Sequence, residues 1–329
     1  MNEAIEKTKR FYSAYTPWIS LGLGVLARIL SKKSVEFAPK ALAILVLAWL
    51  IPVAISRYLR APADPEAEPS WRRVSRTLAP TVTVLLYKNV LFFLVPVWFG
   101  SSHFGSLNMA FPGLLAAMAL FTCFAKQYQA QVLDRSRVRV AWTAVVLFAV
   151  LVPAVAVVFF VAPRTAIIVS ALVASTLSFL ALAPIERVLS RKGILSMSRV
   201  TVPVAAIVGL LAPLFPPVPM VCHDQKVGTS IMAREIQGED SHFPRGTTRV
   251  VAWFAVTLPR HDRQEIAYQW FHDGDPVGSP FRTKVEGGRK EGFRTWTLKT
   301  APTPGKWRVD MLTGQSSQLI GRAGFVVDP

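Results

Sequence analysis

Repeated apolar runs of about twenty residues fill the first two thirds of the chain and restrict its fold more than any other feature. About twenty apolar residues in a helix cross the ~30 Å hydrocarbon core of a membrane, at 1.5 Å rise per residue. The runs interpreted as transmembrane spans are residues 12–30, 38–55, 78–99, 107–125, 141–161, 165–185 and 200–218. They predict a membrane all-α bundle of about seven transmembrane helices over residues 1–221.

The run at residues 12–30 is the least apolar, because Pro17, Gly22, Gly24 and Arg28 interrupt it. An interfacial segment and a cleaved signal peptide are the alternatives to a transmembrane helix there. No small-x-small cleavage site follows the run, which favours an uncleaved segment.

Composition excludes an ordinary soluble domain, since 52% of the residues are hydrophobic and only 17% are charged, against ~25% charged residues in typical soluble proteins. The formal net charge is +17. In a chain this apolar, such an excess predicts loop charges that set membrane orientation rather than nucleic-acid binding.

Basic residues are concentrated in every second loop, which predicts the sidedness of the bundle. The loops after the second, fourth and sixth spans contain Arg57, Arg60, Arg72, Arg73 and Arg76, then Lys126, Arg135, Arg137 and Arg139, then Arg187, Arg191, Lys192 and Arg199. The loops after the third and fifth spans have only His103 and Arg164, whereas Lys32 and Lys33 in the first loop depart from this alternation. The basic loops are therefore predicted to be cytoplasmic, and the last span delivers the C-terminal region to the outer side.

Trp71, Arg72 and Arg73 form a candidate interfacial anchor, with the aromatic ring at the level of the headgroups and the cations at an anionic leaflet. A simple orientation signal is the alternative interpretation. In both cases membrane lipids are the predicted partners of this loop.

Lys88 is predicted to lie inside the third span, where a lysine costs roughly 2.5–3.5 kcal/mol on insertion scales. Tyr87 and Asn89 flank it, and Thr81 lies on the same predicted helix face. Residues 69–133 contain no carboxylate, which argues against a proton relay built on a Lys–carboxylate pair. Either a structural role or an anion-facing binding role remains for this group.

Residues 222–329 show the pattern of an all-β domain. Short runs such as "RVVAWFAVTLP", "FRTWTLKT" and "GKWRVDML" are rich in Val, Thr and aromatic residues and are separated by Gly- and Pro-containing turns. Their number and spacing predict an immunoglobulin-like β-sandwich. Its tryptophans form either the core or a ligand-binding platform, and they are Trp253, Trp270, Trp296 and Trp307.

Motifs of known chemistry are absent from the sequence, so no catalytic residue, metal ligand or cofactor is predicted. There is no phosphate-binding loop, nucleophile elbow or His–Glu zinc motif. Cys123 lies in a predicted span and Cys222 outside it, so a disulfide between them is not expected. The chain is predicted not to be an enzyme, and nothing in the sequence specifies an oligomeric state.

The stretches "AYQWFHDGD", "GFRTWTLK" and "PGKWRVDML" resemble a bacterial C-terminal domain of unknown function, with its W-aromatic turn, R-T-aromatic strand and closing G-x-W-x-V hairpin. "YKNVLFFLVPVWF" is similar to the membrane half of uncharacterised multi-spanning inner-membrane proteins that carry this domain. The resemblance implies a bacterial inner-membrane protein with a periplasmic domain over residues 222–329. It implies no established activity.

Two hypotheses of function follow. In the first, the bundle anchors a periplasmic β-sandwich that binds a protein or a glycan. In the second, the bundle transports or flips an anionic or lipid-linked molecule using Lys88.

Overall fold

The computed structural model of the chain describes residue 22 and residues 87–182, 190–259, 262–288 and 291–329. The N-terminal part of these ranges is helical, as the apolar runs predict. Its helices are α1 (Tyr87–Gly100), α2 (Ala110–Phe121), α3 (Ala125–Tyr128), α4 (Ser136–Phe159), α5 (Pro163–Leu182) and α6 (Arg191–Leu210). A π-helical turn, Gln129–Leu133, continues α3.

Two of the described helices are long and apolar enough to cross a membrane, over Arg137–Phe159 and Arg191–Leu210. A third candidate is the pair Leu107–Phe121 and Lys126–Leu133, which is bent by 107°. The described residues therefore contain candidates for two or three of the seven predicted spans. The predicted spans 12–30, apart from residue 22, and 38–55 lie outside the described residues, as do residues 78–86 of the third predicted span.

One predicted span is interrupted because its helix ends before the apolar run does. Helix α2 stops at Phe121, and the Thr122 hydroxyl that follows donates to the carbonyl of Ala119 at 2.6 Å. With 12 residues, α2 falls short of the ~20 residues that a straight span requires.

The helices pack around aromatic and small side chains. The indole of Trp98 in α1 donates to the carbonyl of Ala149 in α4 at 3.0 Å. A Cβ atom added to Gly209 in α6 would lie 3.0 Å from Cγ1 of Ile168 in α5, so the glycine permits close approach. Elsewhere α6 exposes apolar side chains, which is typical of a helix surrounded by lipid.

An all-β domain follows the helices. Its strands are β1 (Val221–Gly228), β2 (Ser230–Met232), β3 (Glu235–Gln237), β4 (His242–Phe243), β5 (Arg249–Thr257), β6 (Arg263–His272), β7 (Asp275–Glu286), β8 (Phe293–Thr300), β9 (Gly305–Thr313) and β10 (Leu319–Val327). The first strand begins beside the predicted division between residues 221 and 222. A helical region followed by an all-β domain confirms the predicted order of fold classes.

Two sheets of the β-domain share one core. Their strand orders are β1-β5-β8 and β4-β10-β9-β6-β7, and β2 and β3 form a separate hairpin. Alternate residues of β5 face the shared core, including Val250 and Phe254, and meet Ile266 and Val309 of the larger sheet. This alternation is the period-2 pattern of half-buried strands.

The helical region contacts the β-domain at the connection between α1 and α2 and at the end of α6. Nδ2 of Asn108, in the first connection, donates to the carbonyl of Leu319 at 3.1 Å. Nε2 of Gln318 donates to the carbonyls of Phe215 and Pro216 at 3.0 and 3.4 Å. The α1–α2 connection and the β9–β10 loop therefore lie at the same end of the helical region.

Candidate functional site

Lys88 is buried near the N-terminal end of the described part of α1. The neighbouring Tyr87 hydroxyl is hydrogen-bonded to Oγ1 of Thr143 at 3.0 Å. Thr143 is seven residues after Ser136, about 10 Å along α4 at 1.5 Å per residue. The helical turn that contains Lys88 therefore lies beside the second turn of α4, near the basic residues at the N-terminal end of α4. Asn89 is half-buried in the same turn, whereas Thr81 lies outside the described residues.

Tyr128 and Trp142 lie next to this turn and form an aromatic stack with Phe121. The Tyr128 and Trp142 ring centroids are 5.3 Å apart, and the Phe121 ring is 6.3 Å from Tyr128 and 6.0 Å from Trp142. Trp142 is adjacent in sequence to Thr143, the partner of Tyr87. We call the group Tyr87, Tyr128, Trp142 and Thr143 the Tyr128 cluster.

Two polar atoms of the Tyr128 cluster, the Tyr128 hydroxyl and Nε1 of Trp142, are buried and have no hydrogen-bond partner among the described residues. Buried polar groups in folded proteins nearly always have partners. The sequence analysis identified Tyr87 and Lys88 but not Tyr128 and Trp142. These two residues lie 41 and 55 positions after Tyr87, and they come near it only because the helices pack together. In the sequence, the one feature that relates these two side chains is that they lie on either side of a basic loop.

Carboxylates are scarce in the described helices. Asp134 is the single carboxylate of residues 87–182, and its Oδ1 accepts a hydrogen bond from Nε2 of Gln129 at 2.8 Å. Arg139 donates to the carbonyl of Leu133 at 2.9 Å.

Three of the four predicted tryptophans of the β-domain are buried, and their indole nitrogens have partners. Trp253 donates to the carbonyl of Arg234 at 2.9 Å, Trp270 to Oγ1 of Thr297 at 3.3 Å, and Trp307 to the carbonyl of Thr303 at 2.8 Å. These side chains pack inside the domain rather than forming an exposed stacking platform. Trp296 differs, because 39% of its surface is exposed.

Trp296 lies on one side of the β-domain where both sheets end. Among the described residues, β8 pairs only with β5 and β7 pairs only with β6. Tyr268 connects these two strands, because its hydroxyl is 2.7 Å from Oγ1 of Thr295 and its ring stacks on Phe281. Leu298, 53% exposed, and Phe281 also face outward. We call Phe281, Trp296 and Leu298 the open side.

A buried ion pair lies where the β-domain meets the α1–α2 connection. Asp310 is 5% exposed and receives hydrogen bonds from Nε and Nη2 of Arg322 at 2.6 and 2.7 Å. Nε of Arg308 is 3.3 Å from the same carboxylate. Burial lowers the pKa of His103 in the connection, Arg322 lowers it further, and Asp310 opposes the change.

Metal-ligating chemistry has little support in this part of the molecule. The described residues contain no group of three His, Cys, Asp or Glu side chains that could hold a metal ion. Burial raises the pKa of the Cys222 thiol to about 12, so that thiol is protonated at neutral pH and is a poor ligand or nucleophile. Trp71, Arg72 and Arg73 lie outside the described residues.

Comparisons with known proteins give little functional information. A crystal structure of a β-glucosidase from Listeria innocua in complex with isofagomine is 14% identical, with a TM-score of 0.21, and the match covers 32% of this chain and 16% of that one. This likeness carries no argument about fold or activity. No curated protein matches the sequence significantly.

Two families of unknown function match the chain. The second, DUF2914, matches residues 263–327, which run from β6 to β10. The first, DUF5924, matches residues 1–245, so that its match continues past α6 and includes β1–β4. Because this match spans well over half of the sequence, the chain belongs to the DUF5924 family of unknown function.

Proposed function

We propose that this chain is a bacterial inner-membrane protein that holds its C-terminal domain in the periplasm and binds a protein partner through the open side of that domain. The exposed Trp296 and Leu298 on the unpaired edge strand β8 are the observation that carries the proposal. The strand orders of the two sheets support the immunoglobulin-like arrangement predicted from the sequence.

The proposed orientation follows from charge and from the inter-domain contacts. The α1–α2 connection contacts the β-domain through Asn108, whereas the basic residues Arg135, Arg137, Arg191 and Lys192 lie around the beginnings of α4 and α6. Basic loops are retained in the cytoplasm. The opposite end, with the β-domain, is therefore proposed to be periplasmic.

Alkaline phosphatase fused after Pro329 should be active, and a fluorescent protein that folds only in the cytoplasm should be dark at the same position. The reason is that the basic loops hold the opposite end of the helices in the cytoplasm. The matched control is the same pair of reporters fused after Asp134, in the basic α3–α4 region, where the opposite pattern is expected. Cytoplasmic activity at Pro329 would reverse the proposed orientation.

A protein partner suits the open side better than a glycan does. Sugar-binding platforms need several exposed aromatic faces, but Trp253, Trp270 and Trp307 are buried in the β-domain. An unpaired strand edge offers free backbone donors and acceptors to an extended protein segment, and outward apolar side chains add contact area. Trp296 and Leu298 alternate along β8 with the core-facing Thr295 and Thr297, as such a surface requires.

A photoreactive phenylalanine analogue in place of Leu298 should cross-link to a discrete protein in cells, because Leu298 faces outward on the open side. The additional substitution Trp296→Glu should abolish the adduct, since it introduces a charge into the apolar contact. Because Trp296 is partly exposed, Trp296→Glu should change the free energy of unfolding by less than about 1 kcal/mol.

The control for this experiment is the same photoreactive residue in place of Arg245, which is exposed in the loop before β5. An adduct of equal yield at Arg245, or one at Leu298 that persists with Trp296→Glu, would reject the open side as the binding surface. Absence of any adduct at Leu298 would also contradict the proposal.

Transport or flipping of an anionic, lipid-linked molecule is the second candidate function. It is favoured by the burial of the charged Lys88 side chain in α1. The expectation that the chain is not an enzyme stays a prediction, since the motifs of known catalytic sites are missing from its sequence.

A further inference from the structure

We propose that the protein partner of the open side is a second copy of the same chain, and that the two copies pair their β8 strands antiparallel about a two-fold axis at Thr297. The inference rests on the proposed function, because it identifies the partner of that same surface. The pairing joins the three-stranded sheets of the two copies, each ordered β1-β5-β8, into one continuous sheet.

The sheet that contains β8 is too narrow to cover the larger sheet. Phe281 on β7 is directly opposite Tyr268 on β6, so the two rings lie on the same face of the larger sheet, the face that meets the shared core. Tyr268 reaches β8 at Thr295 and is 1% exposed, whereas Phe281 is 58% exposed. Phe281 therefore lies beyond β8, where one more strand on the edge of β8 would cover it.

The edge of β8 is favourable for strand pairing. Proteins usually protect an exposed sheet edge with charges, prolines or bulges. Residues 295–298 include neither a charged residue nor a proline, and β8 follows β5 in unbroken register. Of the two flanking cations, Arg294 is paired with Glu235 at 2.7 Å, and the Lys299 ammonium lies over the Trp307 ring at 5.3 Å. The middle of this edge therefore offers backbone groups and apolar side chains without a repelling charge.

The sequence of β8 is complementary to itself when two strands pair about Thr297. Trp296 of each copy is then directly opposite Leu298 of the other, so the symmetric interface contains this apolar pair twice. The other pairs in this register are Arg294 with Thr300 and Thr295 with Lys299. None of these pairs places like charges opposite each other, an arrangement that would destabilise the pairing.

Neighbouring two-fold registers fit less well. An axis at Trp296 would place Arg294 opposite Leu298. An axis at Leu298 would place Trp296 opposite Thr300. An axis between two residues would put the cores of the two copies on opposite faces of the joined sheet, because side chains alternate along a strand. The axis at Thr297 keeps both cores on one face and pairs apolar side chains with each other.

The same axis accounts for the exposure of Phe281. Each Phe281 ring lies beyond its own β8 on the core side, and the axis brings it beneath β8 of the other copy. One association therefore covers both Phe281 rings and both Trp296 side chains. A segment of an unrelated protein would have to supply a separate strand for each copy, whereas a second copy supplies the matching strand by symmetry.

The first test detects the pairing of Trp296 with Leu298 by disulfide formation. The full chain is used in detergent, with the exposed Cys123 replaced by serine. A copy with Trp296→Cys and a differently tagged copy with Leu298→Cys are expressed together. Mild oxidation should link the two copies, because directly opposite residues of paired strands lie within the range of a disulfide. The second contact of Leu298 with Trp296, which is retained, still holds the copies together.

Trp296→Cys expressed alone is the matched control. In the proposed register two such cysteines are diagonal neighbours, ~7–8 Å apart. That distance is beyond the usual range of a disulfide, so the yield should fall about tenfold. The chain that retains only Cys222 should give no cross-linked dimer. Absence of the mixed disulfide, or an equal yield from Trp296→Cys alone, overturns the pairing about Thr297.

The second test measures the mass of the full chain in detergent by native mass spectrometry, and the parent should be a dimer. Leu298→Lys should raise the Kd of the dimer about tenfold, a change that corresponds to ~1.4 kcal/mol, because symmetry introduces the charge twice, each time opposite Trp296. Leu298→Ile is the control, because it keeps the apolar contact and should leave the dimer intact. A monomeric parent, or equal Kd values for the two variants, overturns the second copy as the partner.

The photoreactive residue in place of Leu298 separates this inference from the proposed function. A cross-linked product in which both peptides come from this sequence supports the second copy. A product that contains a different protein overturns the second copy and leaves the open side as a binding surface. Absence of any product overturns both the second copy and the proposed function.

Discussion

Replacing Trp307 by alanine is expected to destabilise the β-domain by about 3–5 kcal/mol, the usual cost of truncating a buried tryptophan. Trp307 is 4% exposed. Its ring stacks on Phe325 with an interplanar angle of 8° and on His272 at a centroid distance of 4.5 Å. Truncation would remove these contacts and leave a cavity between β6, β9 and β10.

The measurement is chemical denaturation of the full chain, followed by hydrogen exchange of the β9 and β10 amides. Trp296→Ala is the matched control, because it removes the same side chain from a partly exposed position on β8 and should cost less than about 1 kcal/mol. If the two variants lost the same free energy of unfolding, burial would not distinguish the two tryptophans. Trp307 would then again be a candidate for the ligand-binding platform.

Replacing Asp310 by asparagine is expected to cost about 2–3 kcal/mol of stability. Removing one partner of a buried ion pair typically costs ~3–5 kcal/mol, because the other charge stays buried without compensation. The side chain of Arg322 retains 28% exposure, and water therefore reduces the penalty. The Arg308 guanidinium, which also faces Asp310, adds to the uncompensated charge.

Glu286→Gln is the control for this prediction, because Glu286 pairs with Arg263 at 3.0 Å on the surface of the same domain. Exposed pairs contribute ~0–1 kcal/mol, so this variant should unfold almost as the parent does. Both unfolding curves are measured at low and high salt. A Glu286→Gln loss as large as that of Asp310→Asn would contradict the assigned difference in burial.

The order of the two fold classes was predictable because it depends on local patterns. Apolar runs predict helices, and the alternation in "KWRVDML" predicts a strand, which is observed as part of β9. The runs "RVVAWFAVTLP" and "FRTWTLKT" likewise contain β5 and β8. Strand β1 was missed, since "VCHDQKVG" is polar and becomes a strand through its pairing with β5.

Whether a tryptophan of the β-domain is buried or exposed depends on how the strands pair. Trp253 and Trp296 are directly opposite each other on β5 and β8, yet Trp253 is buried because its indole meets the β2–β3 hairpin at Arg234. Trp296 lies at the sheet edge and stays partly exposed. No sequence pattern distinguishes these two residues, since the hairpin reaches Trp253 from about twenty positions away.

The sequence by itself determined a helical region with strongly apolar runs, a following all-β domain, and the isolated Lys88 among residues without carboxylates. These properties follow from composition and short-range periodicity, which the chain carries in any conformation. Only the tertiary structure decided where helices end and bend, which tryptophans are buried, and that Tyr128 and Trp142 lie beside the Lys88 turn. Those properties depend on contacts between residues tens of positions apart, and the free energy of packing selects them only after the elements have formed.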